Sequence, residues 1–196
     1  MLNELSVHII EWLISVHSIS EADKELYVYG SFVLLSNIFY ISVTLIIGFI
    51  FHCIIELLIV YISLFFLRSY AGGYHANSET KCEIITSLTI LLSAIVISYY
   101  IQSTDFLLLI ISIISALIII LFSPILSKEK PLDSVEIKKN KSITVITICI
   151  LCASIAVTFI WHIEMIYVPC CLSLIIEAIS LLGGMIKNHV GNGRKT

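Results

Sequence analysis

Long apolar runs separated by short polar breaks dominate the chain. Residues 32–67 are almost continuously apolar, and later runs form two predicted helical hairpins, 84–122 and 143–186. The apolar residues are not arranged in amphipathic stripes, and the runs approach or exceed the roughly 20 residues that cross a hydrocarbon core. The pattern predicts an all-α, polytopic membrane protein with about six membrane-embedded helices in one domain, 1–196.

The first apolar run is too long for one membrane-spanning helix. A helix over 32–67 would measure about 54 Å, whereas a hydrocarbon core is only about 30 Å thick. A break near Gly48–His52 predicts two membrane segments, about 31–50 and 53–67, joined by a tight turn. A single tilted or partly re-entrant element over this stretch is the alternative.

Residues 1–30 follow a different pattern. Apolar side chains recur at helical spacing between Leu2 and Val16, opposite a polar face, and Trp12 belongs to the apolar side. This pattern predicts an N-terminal amphipathic helix that lies in the interface of a lipid bilayer. Ser20 can cap a second short helix before the first membrane segment.

Composition and charge agree with a membrane protein. Hydrophobic residues make up 59% of the 196 residues and charged residues only 13%, which is too little polar surface to cover a soluble globule. Lys and Arg are absent from the predicted turns at 102–105 and 162–165 but frequent in the loop 123–142 and the tail 187–196. The positive-inside rule therefore predicts that both termini, this Lys-rich loop and the segment 68–83 are cytoplasmic. The short, mixed basic cluster argues against nucleic-acid binding.

The polar segment 68–83 concentrates reactive side chains and backbone freedom. Within it lie Arg68, Gly72, Gly73, His75 and Cys82. In a continuous helix His75 and Cys82 would stand about 10 Å apart, too far for a proton transfer. The glycine pair favours a turn instead, which lets the imidazole fold back over the thiol as its base. If the next helix begins near residue 78, Cys82 lies in its first turn, where a helix N-terminus favours the thiolate.

Three further residues of this segment are candidates for contacts with a substrate. Backbone N–H groups around Gly72 and Gly73 can stabilise an oxyanion, and Arg68 can bind a carboxylate or an acidic peptide bidentately. Each also has a simpler explanation. A glycine pair often forms only a turn, and an arginine at the end of an apolar run often extends its charge to the membrane edge. A His and a Cys also share a polar loop by chance fairly often.

The other cysteines form no disulfide framework and no metal motif. All five lie in apolar runs, where cysteine usually packs as a small hydrophobic residue; they are Cys53, Cys149, Cys152, Cys170 and Cys171. One Cys and one His in the polar segment supply at most half a metal site. We therefore expect no metal and no other cofactor.

Two acidic residues, Glu56 and Glu177, lie within apolar runs. A carboxylate at the membrane centre costs about 2.5–3.5 kcal/mol on an insertion scale, so both are expected to face a protein interior or a wet cavity. His52 is four residues before Glu56 and can hydrogen-bond to it within a helix. These acids would be the functional residues under a second hypothesis, in which the protein is a small peptide transporter or exporter without proteolytic activity. A non-enzymatic membrane subunit is the third. No internal sequence repeat is evident.

The polar segment resembles the signature of the accessory gene regulator protein B (AgrB) family of Gram-positive quorum-sensing systems. The resemblance rests on Arg68-Ser-Tyr-Ala-Gly-Gly-Tyr-His75 followed by Cys82, and it extends to Ser123-Pro124 and Lys130-Pro131-Leu132. It implies a membrane cysteine endopeptidase in which Cys82 is the nucleophile and His75 the base. The implied partner is an AgrD-like precursor peptide, which is cleaved in its C-terminal part and cyclised through an acyl-enzyme thioester to a thiolactone or lactone. The family also implies a homodimer.

Overall fold

A computed structural model of the chain describes residues 2–16, 20–74, 78–100, 105–125 and 133–193. Within these ranges the chain forms seven α-helices, a 3-10 turn at Glu21–Asp23 and no strand. The α-helices are α1 (Leu2–Ser15), α2 (Lys24–Ile50), α3 (Ile54–Ala71), α4 (Glu79–Ser98), α5 (Asp105–Phe122), α6 (Ser134–Ile160) and α7 (Glu164–Gly193). Helices α2 to α7 are long and apolar enough to cross a membrane. The predicted all-α, polytopic fold is confirmed.

The chain divides into two compact units, Met1–Val43 and Thr44–Thr196. The first unit contains α1, the 3-10 turn and the first part of α2. Here the Lys24 ammonium group donates to the Glu11 carboxylate at 3.0 Å, and this bond lowers the pKa of Glu11. Helix α1 occupies the predicted amphipathic stretch and exposes Trp12. Its contact with a lipid surface stays a prediction.

Helix α7 is the centre of the second unit. Of its apolar window 61% is buried, against at most 28% in any other candidate span, because α3, α5 and α6 all pack against it. The core between them is apolar and includes Leu67, Ala116, Ile119, Ile148, Leu174 and Leu181. The outward faces are apolar as well, since Phe106 and Leu121 of α5 are 73% exposed. An apolar exterior around a packed interior suits a bundle that faces lipid.

The long first apolar run is interrupted by a tight turn directly after α2. The Cys53 N–H donates to the Gly48 carbonyl at 2.9 Å, and His52 adopts a left-handed backbone with φ of 56°. A Cβ on Gly48 would come 2.8 Å from the Cα of Ile54, so only glycine lets the chain return this closely. The run therefore holds two helices, the first of the two predicted arrangements. His52 lies in the turn and not in α3, so the two residues do not have the one-turn helical spacing on which a hydrogen bond from His52 to Glu56 would depend.

The turn between α6 and α7 repeats the turn between α2 and α3. His162 has φ of 54°, and the Ile163 N–H donates to the carbonyl of Thr158 at 2.8 Å. The preceding sequences are alike, Phe49-Ile-Phe-His52 and Phe159-Ile-Trp-His162. The two turns thus form a short internal repeat, which is too short to give a repeating pattern along the sequence.

Helix α6 begins at Ser134 and not near residue 143. The Asp133 carboxylate accepts from the Ser134 N–H at 2.7 Å, and the Glu136 carboxylate accepts from the Asp133 N–H at 3.2 Å. This reciprocal capping box starts the helix well inside the predicted polar loop 123–142. Three lysines expected in that loop therefore belong to α6: Lys138, Lys139 and Lys141.

Candidate active site

The predicted reactive segment 68–83 is divided between the end of α3, the start of α4 and the residues between them. Arg68 lies in the last turn of α3, and Cys82 is the fourth residue of α4. His75 lies outside the described residues. The structure describes Cys82 on α4, and it describes Gly72–Tyr74, which leave α3 and pack on α7.

Gly72 fixes the direction in which the chain leaves α3. Its φ of 77° is left-handed, a conformation that glycine adopts without the steric penalty other residues meet. The preceding carbonyl, that of Ala71, accepts from the Ile125 N–H at 3.0 Å. A Cβ on Gly72 would stand 3.1 Å from the Ile125 carbonyl oxygen. The chain that follows α5 therefore packs directly against this glycine.

Gly73 packs against α7 with no room for a side chain on either partner. A Cβ on Gly73 would come 2.7 Å from the Ser180 hydroxyl oxygen, and a Cβ on Gly184 would come 2.8 Å from the Gly73 carbonyl oxygen. Real Cβ atoms essentially never approach other atoms this closely. Both glycines are therefore required for the close approach of the two backbones.

Three hydrogen bonds join Arg68, Ser180 and Tyr74. The Arg68 guanidinium donates to the Tyr74 carbonyl at 3.4 Å and to the Ser180 hydroxyl at 3.2 Å. The Ser180 hydroxyl also accepts from the Tyr74 N–H at 3.2 Å. Arg68 therefore turns into the protein and does not merely extend to the membrane edge. It braces the backbone of the predicted reactive segment.

Glu177 lies beneath the same stretch of backbone. Its side chain is 0% exposed, and neither carboxylate oxygen has a hydrogen-bond partner among the described residues. One carboxylate oxygen lies 3.8 Å from where a Cβ of Gly73 would stand. The expectation that Glu177 faces the protein interior is confirmed.

Cys82 lies where α4 begins, as the sequence predicts. Ser78 caps this helix, since its hydroxyl accepts from the Lys81 N–H at 3.4 Å. The Cys82 N–H closes the first turn by donating to the Ser78 carbonyl at 3.1 Å. Its side chain is partly exposed. A thiol here lies near the positive end of the helix dipole.

The other cysteines are less suited to act as nucleophiles. Cys53, Cys170 and Cys171 are buried, and burial raises the pKa of the Cys53 thiol. Cys149 and Cys152 lie in the apolar middle of α6, the first of them exposed on its outer face. Among the described residues no three His, Cys, Asp or Glu side chains are grouped so that they could hold a metal ion.

Cationic side chains border the segment on the α7 side. The Lys187 ammonium group lies 5.4 Å from the centre of the Tyr74 ring, a distance suited to a cation–π contact. Lys141 of α6 donates to the carbonyls of Ile120 and Ser123, the latter at 2.7 Å, where α5 ends.

The hydropathy pattern does not single out two residues of the site, Ser180 and Gly184. Their spacing does indicate a close helix contact, because small residues four apart share a helix face and let membrane helices approach closely. Ser180 to Gly184 is such a pair within the last apolar run. The sequence alone could therefore have marked this face of α7 as a close contact, but not the segment that fills it.

Comparison with known proteins identifies relatives over most of the chain. Residues 6–181 match the family described as Accessory gene regulator B. The chain is 32% identical over 154 residues to the accessory gene regulator protein B of Staphylococcus aureus (strain MW2) and 30% identical over 154 residues to that of Staphylococcus lugdunensis. Each alignment covers 78% of this chain and 79% of the relative. The protein of the same description from Staphylococcus intermedius is 31% identical over 128 residues, 64% of this chain and 68% of that one. No solved structure is significantly similar.

Proposed function

This chain belongs to the accessory gene regulator B family and acts in quorum-sensing peptide processing, and on that premise we propose that it is a membrane cysteine endopeptidase. Its substrate is an AgrD-like precursor peptide. Cys82 is the nucleophile and His75 the base. The observation that carries the proposal is the position of Cys82, a partly exposed thiol in the N-terminal turn of a membrane helix.

The proposed reaction proceeds in two acyl transfers. The Cys82 thiolate attacks the carbonyl carbon of a peptide bond at the C-terminal side of the future pheromone, and His75 protonates the departing amine. This forms an acyl-enzyme thioester and releases the C-terminal tail. An internal Cys or Ser of the precursor then gives its proton to the now neutral His75 and attacks the thioester, which closes a thiolactone or lactone ring and releases the Cys82 thiolate. The thioester preserves the activation of the carbonyl, so no ATP is consumed.

Arg68, Gly72 and Gly73 have supporting parts in this proposal. Backbone N–H groups at the glycine pair stabilise the oxyanion of each tetrahedral intermediate. The guanidinium of Arg68 braces Tyr74, and together with Lys187 it attracts an acidic precursor tail through its charge. We further propose that both termini and this site are cytoplasmic, and that the protein acts as a homodimer on the lipid bilayer.

The burial of Glu177 favours the peptidase over an exporter. An exporter would need its membrane acids along a wet path, whereas Glu177 is completely buried against Gly73. Glu56 is only partly buried in the first turn of α3. The position of Glu177 therefore does not support a transport pathway.

The decisive experiment measures precursor cleavage by the full-length protein in proteoliposomes. We expect Cys82→Ala and His75→Ala to abolish cleavage, because each removes a group that the first acyl transfer requires. Cys149→Ala, an exposed cysteine far along α6, is the matched control and should cleave like the parent protein. Cleavage by Cys82→Ala at the parent rate would refute the proposal.

A further inference from the structure

We propose that Ser180 and Glu177 of α7 are positioning residues that hold Gly73 and Tyr74 in the arrangement the reaction requires. The inference rests on the proposed function, because it assigns these residues a role in peptide cleavage. Neither belongs to the reactive segment in sequence, and the hydrogen bond from Tyr74 to Ser180 joins residues 106 apart.

The Ser180 hydroxyl lies at the centre of the contact. It accepts from the Tyr74 N–H and from the Arg68 guanidinium, both at 3.2 Å, so one oxygen links the end of α3 to the chain that follows it. Arg68 completes the link by donating to the Tyr74 carbonyl. Both polar groups of the Tyr74 backbone are thereby held, one of them by α7 itself.

Glu177 lies against the same link. It lies one helical turn before Ser180, it is fully buried, and it has no hydrogen-bond partner among the described residues. A buried acid of this kind is costly to retain. One of its carboxyl oxygens lies 3.8 Å from where a Cβ of Gly73 would stand, so the side chain lies directly against the backbone of Gly73. We infer that Glu177 supports Gly73 from the α7 side.

The contact with α7 fixes the point from which the chain continues to His75. Tyr74 is the last residue before His75 in the sequence, and its backbone is held at both polar groups. Releasing Tyr74 from α7 would let the chain after it leave in many directions, so the proposed base would meet Cys82 less often. A defect of this kind lowers kcat and leaves KM nearly unchanged, because it affects assembly of the reacting groups more than binding.

The first measurement needs no precursor. Hydrogen exchange of the peptide covering Gly72–Tyr74 is followed by mass spectrometry in nanodiscs. We expect Ser180→Ala to accelerate exchange at Tyr74 by about tenfold, since one hydrogen bond is lost. Ser180→Thr, which keeps a hydroxyl, should restore slow exchange. Ser173→Ala is the matched control, because Ser173 is buried in the same helix and donates only to Pro169. Equal exchange in Ser180→Ala and Ser173→Ala would overturn the inference.

The second measurement compares cleavage kinetics. We expect Ser180→Ala and Glu177→Ala, which removes the side chain that lies against Gly73, to lower kcat by about tenfold at unchanged KM, while Ser173→Ala cleaves like the parent protein. Faster exchange with unchanged kcat would also overturn the inference, because the contact between Tyr74 and α7 would then have no effect on catalysis. If no variant and not even the parent protein cleaves the precursor, the proposed function fails. The exchange result then still reports whether α7 holds the segment.

Discussion

The carbonyl oxygen of Gly73 lies so close to α7 that a Cβ on Gly184 would come within 2.8 Å of it. The carbonyl carbon of Gly73 would lie 2.9 Å from the same Cβ. Both atoms belong to the backbone and cannot rotate away as a flexible side chain can. This pair of glycines therefore sets the distance between α7 and the segment that follows α3.

Gly184→Ala should separate that segment from α7. Overpacking of this kind typically costs about 1–3 kcal/mol, and we expect precursor cleavage to fall by more than about tenfold as Tyr74 is displaced. Gly183→Ala is the matched control, because its Cβ would stand 3.8 Å from the Tyr74 ring, an ordinary contact. In a helix interior that change should stabilise by about 0.5–1 kcal/mol. Cleavage rates and thermal unfolding midpoints test both; equal behaviour of the two variants would contradict the prediction.

Local signals in the sequence are enough to predict most of the helices and the position of Cys82, but the short helix expected before the first membrane segment is instead the continuous beginning of α2. Gly48 marks the break in the first apolar run, and the polar residues before Cys82 mark the start of α4. The start of α6 lies earlier than its lysines suggest, because Asp133 and Glu136 form a capping box that begins the helix inside the predicted polar loop.

The contact between Tyr74 and Ser180 could not be predicted in the same way. Hydropathy and spacing report which face of a helix is polar or small, but not which distant segment meets it. Ser180 lies in an apolar helix, where a serine often bonds only to its own backbone, as Ser173 does. The partner of Ser180 depends on how α3 and α7 pack together.

The cap of α4 should tune the reactivity of Cys82. Ser78→Ala removes the side-chain acceptor for the Lys81 N–H, a change that typically costs about 1 kcal/mol of helix stability. The helix start then frays, and the dipole acts less on the thiol. In a chain whose only cysteine is Cys82, we expect maleimide to react severalfold more slowly at neutral pH. Ser78→Thr should restore the rate. Thr89→Ala, whose hydroxyl bonds only within α4, should leave it unchanged; a matching loss there would indicate general fraying.

Lys141 should contribute more to stability than the neighbouring lysines. Its ammonium group donates to two carbonyls at the end of α5, and hydrogen bonds from charged groups are worth about 1.5–3 kcal/mol. Lys141→Met should therefore lower the thermal midpoint by several degrees, whereas the exposed Lys139→Met should change it little. The thermal unfolding midpoints of both variants and the parent protein are compared in the same detergent. Equal effects of the two variants would mean that the carbonyls at the end of α5 gain nothing from this contact.

The repeated turn predicts a stabilising substitution. His162 has φ of 54°, and a left-handed backbone costs a residue with a side chain about 1–2 kcal/mol. We expect His162→Gly to raise the thermal midpoint by a few degrees, because glycine adopts this conformation without that cost. His162→Ala removes the imidazole and keeps the backbone cost, so it should not raise the midpoint. If His162→Ala stabilises as much as His162→Gly, the imidazole and not the backbone is responsible.

The distribution of basic residues predicts which end of α6 faces the cytoplasm. Ser134 at its start follows the Lys-rich loop, whereas Trp161 at its end lies in a turn without Lys or Arg; both side chains are exposed. The test uses a chain whose six cysteines are replaced by alanine and into which Ser134→Cys or Trp161→Cys is introduced. On intact cells a membrane-impermeant maleimide should label Trp161→Cys at once and Ser134→Cys only after permeabilisation. The reverse order would place the Lys-rich side outside. The proposed site, which lies on the same side by the count of spans, could then not meet a precursor made in the cytoplasm.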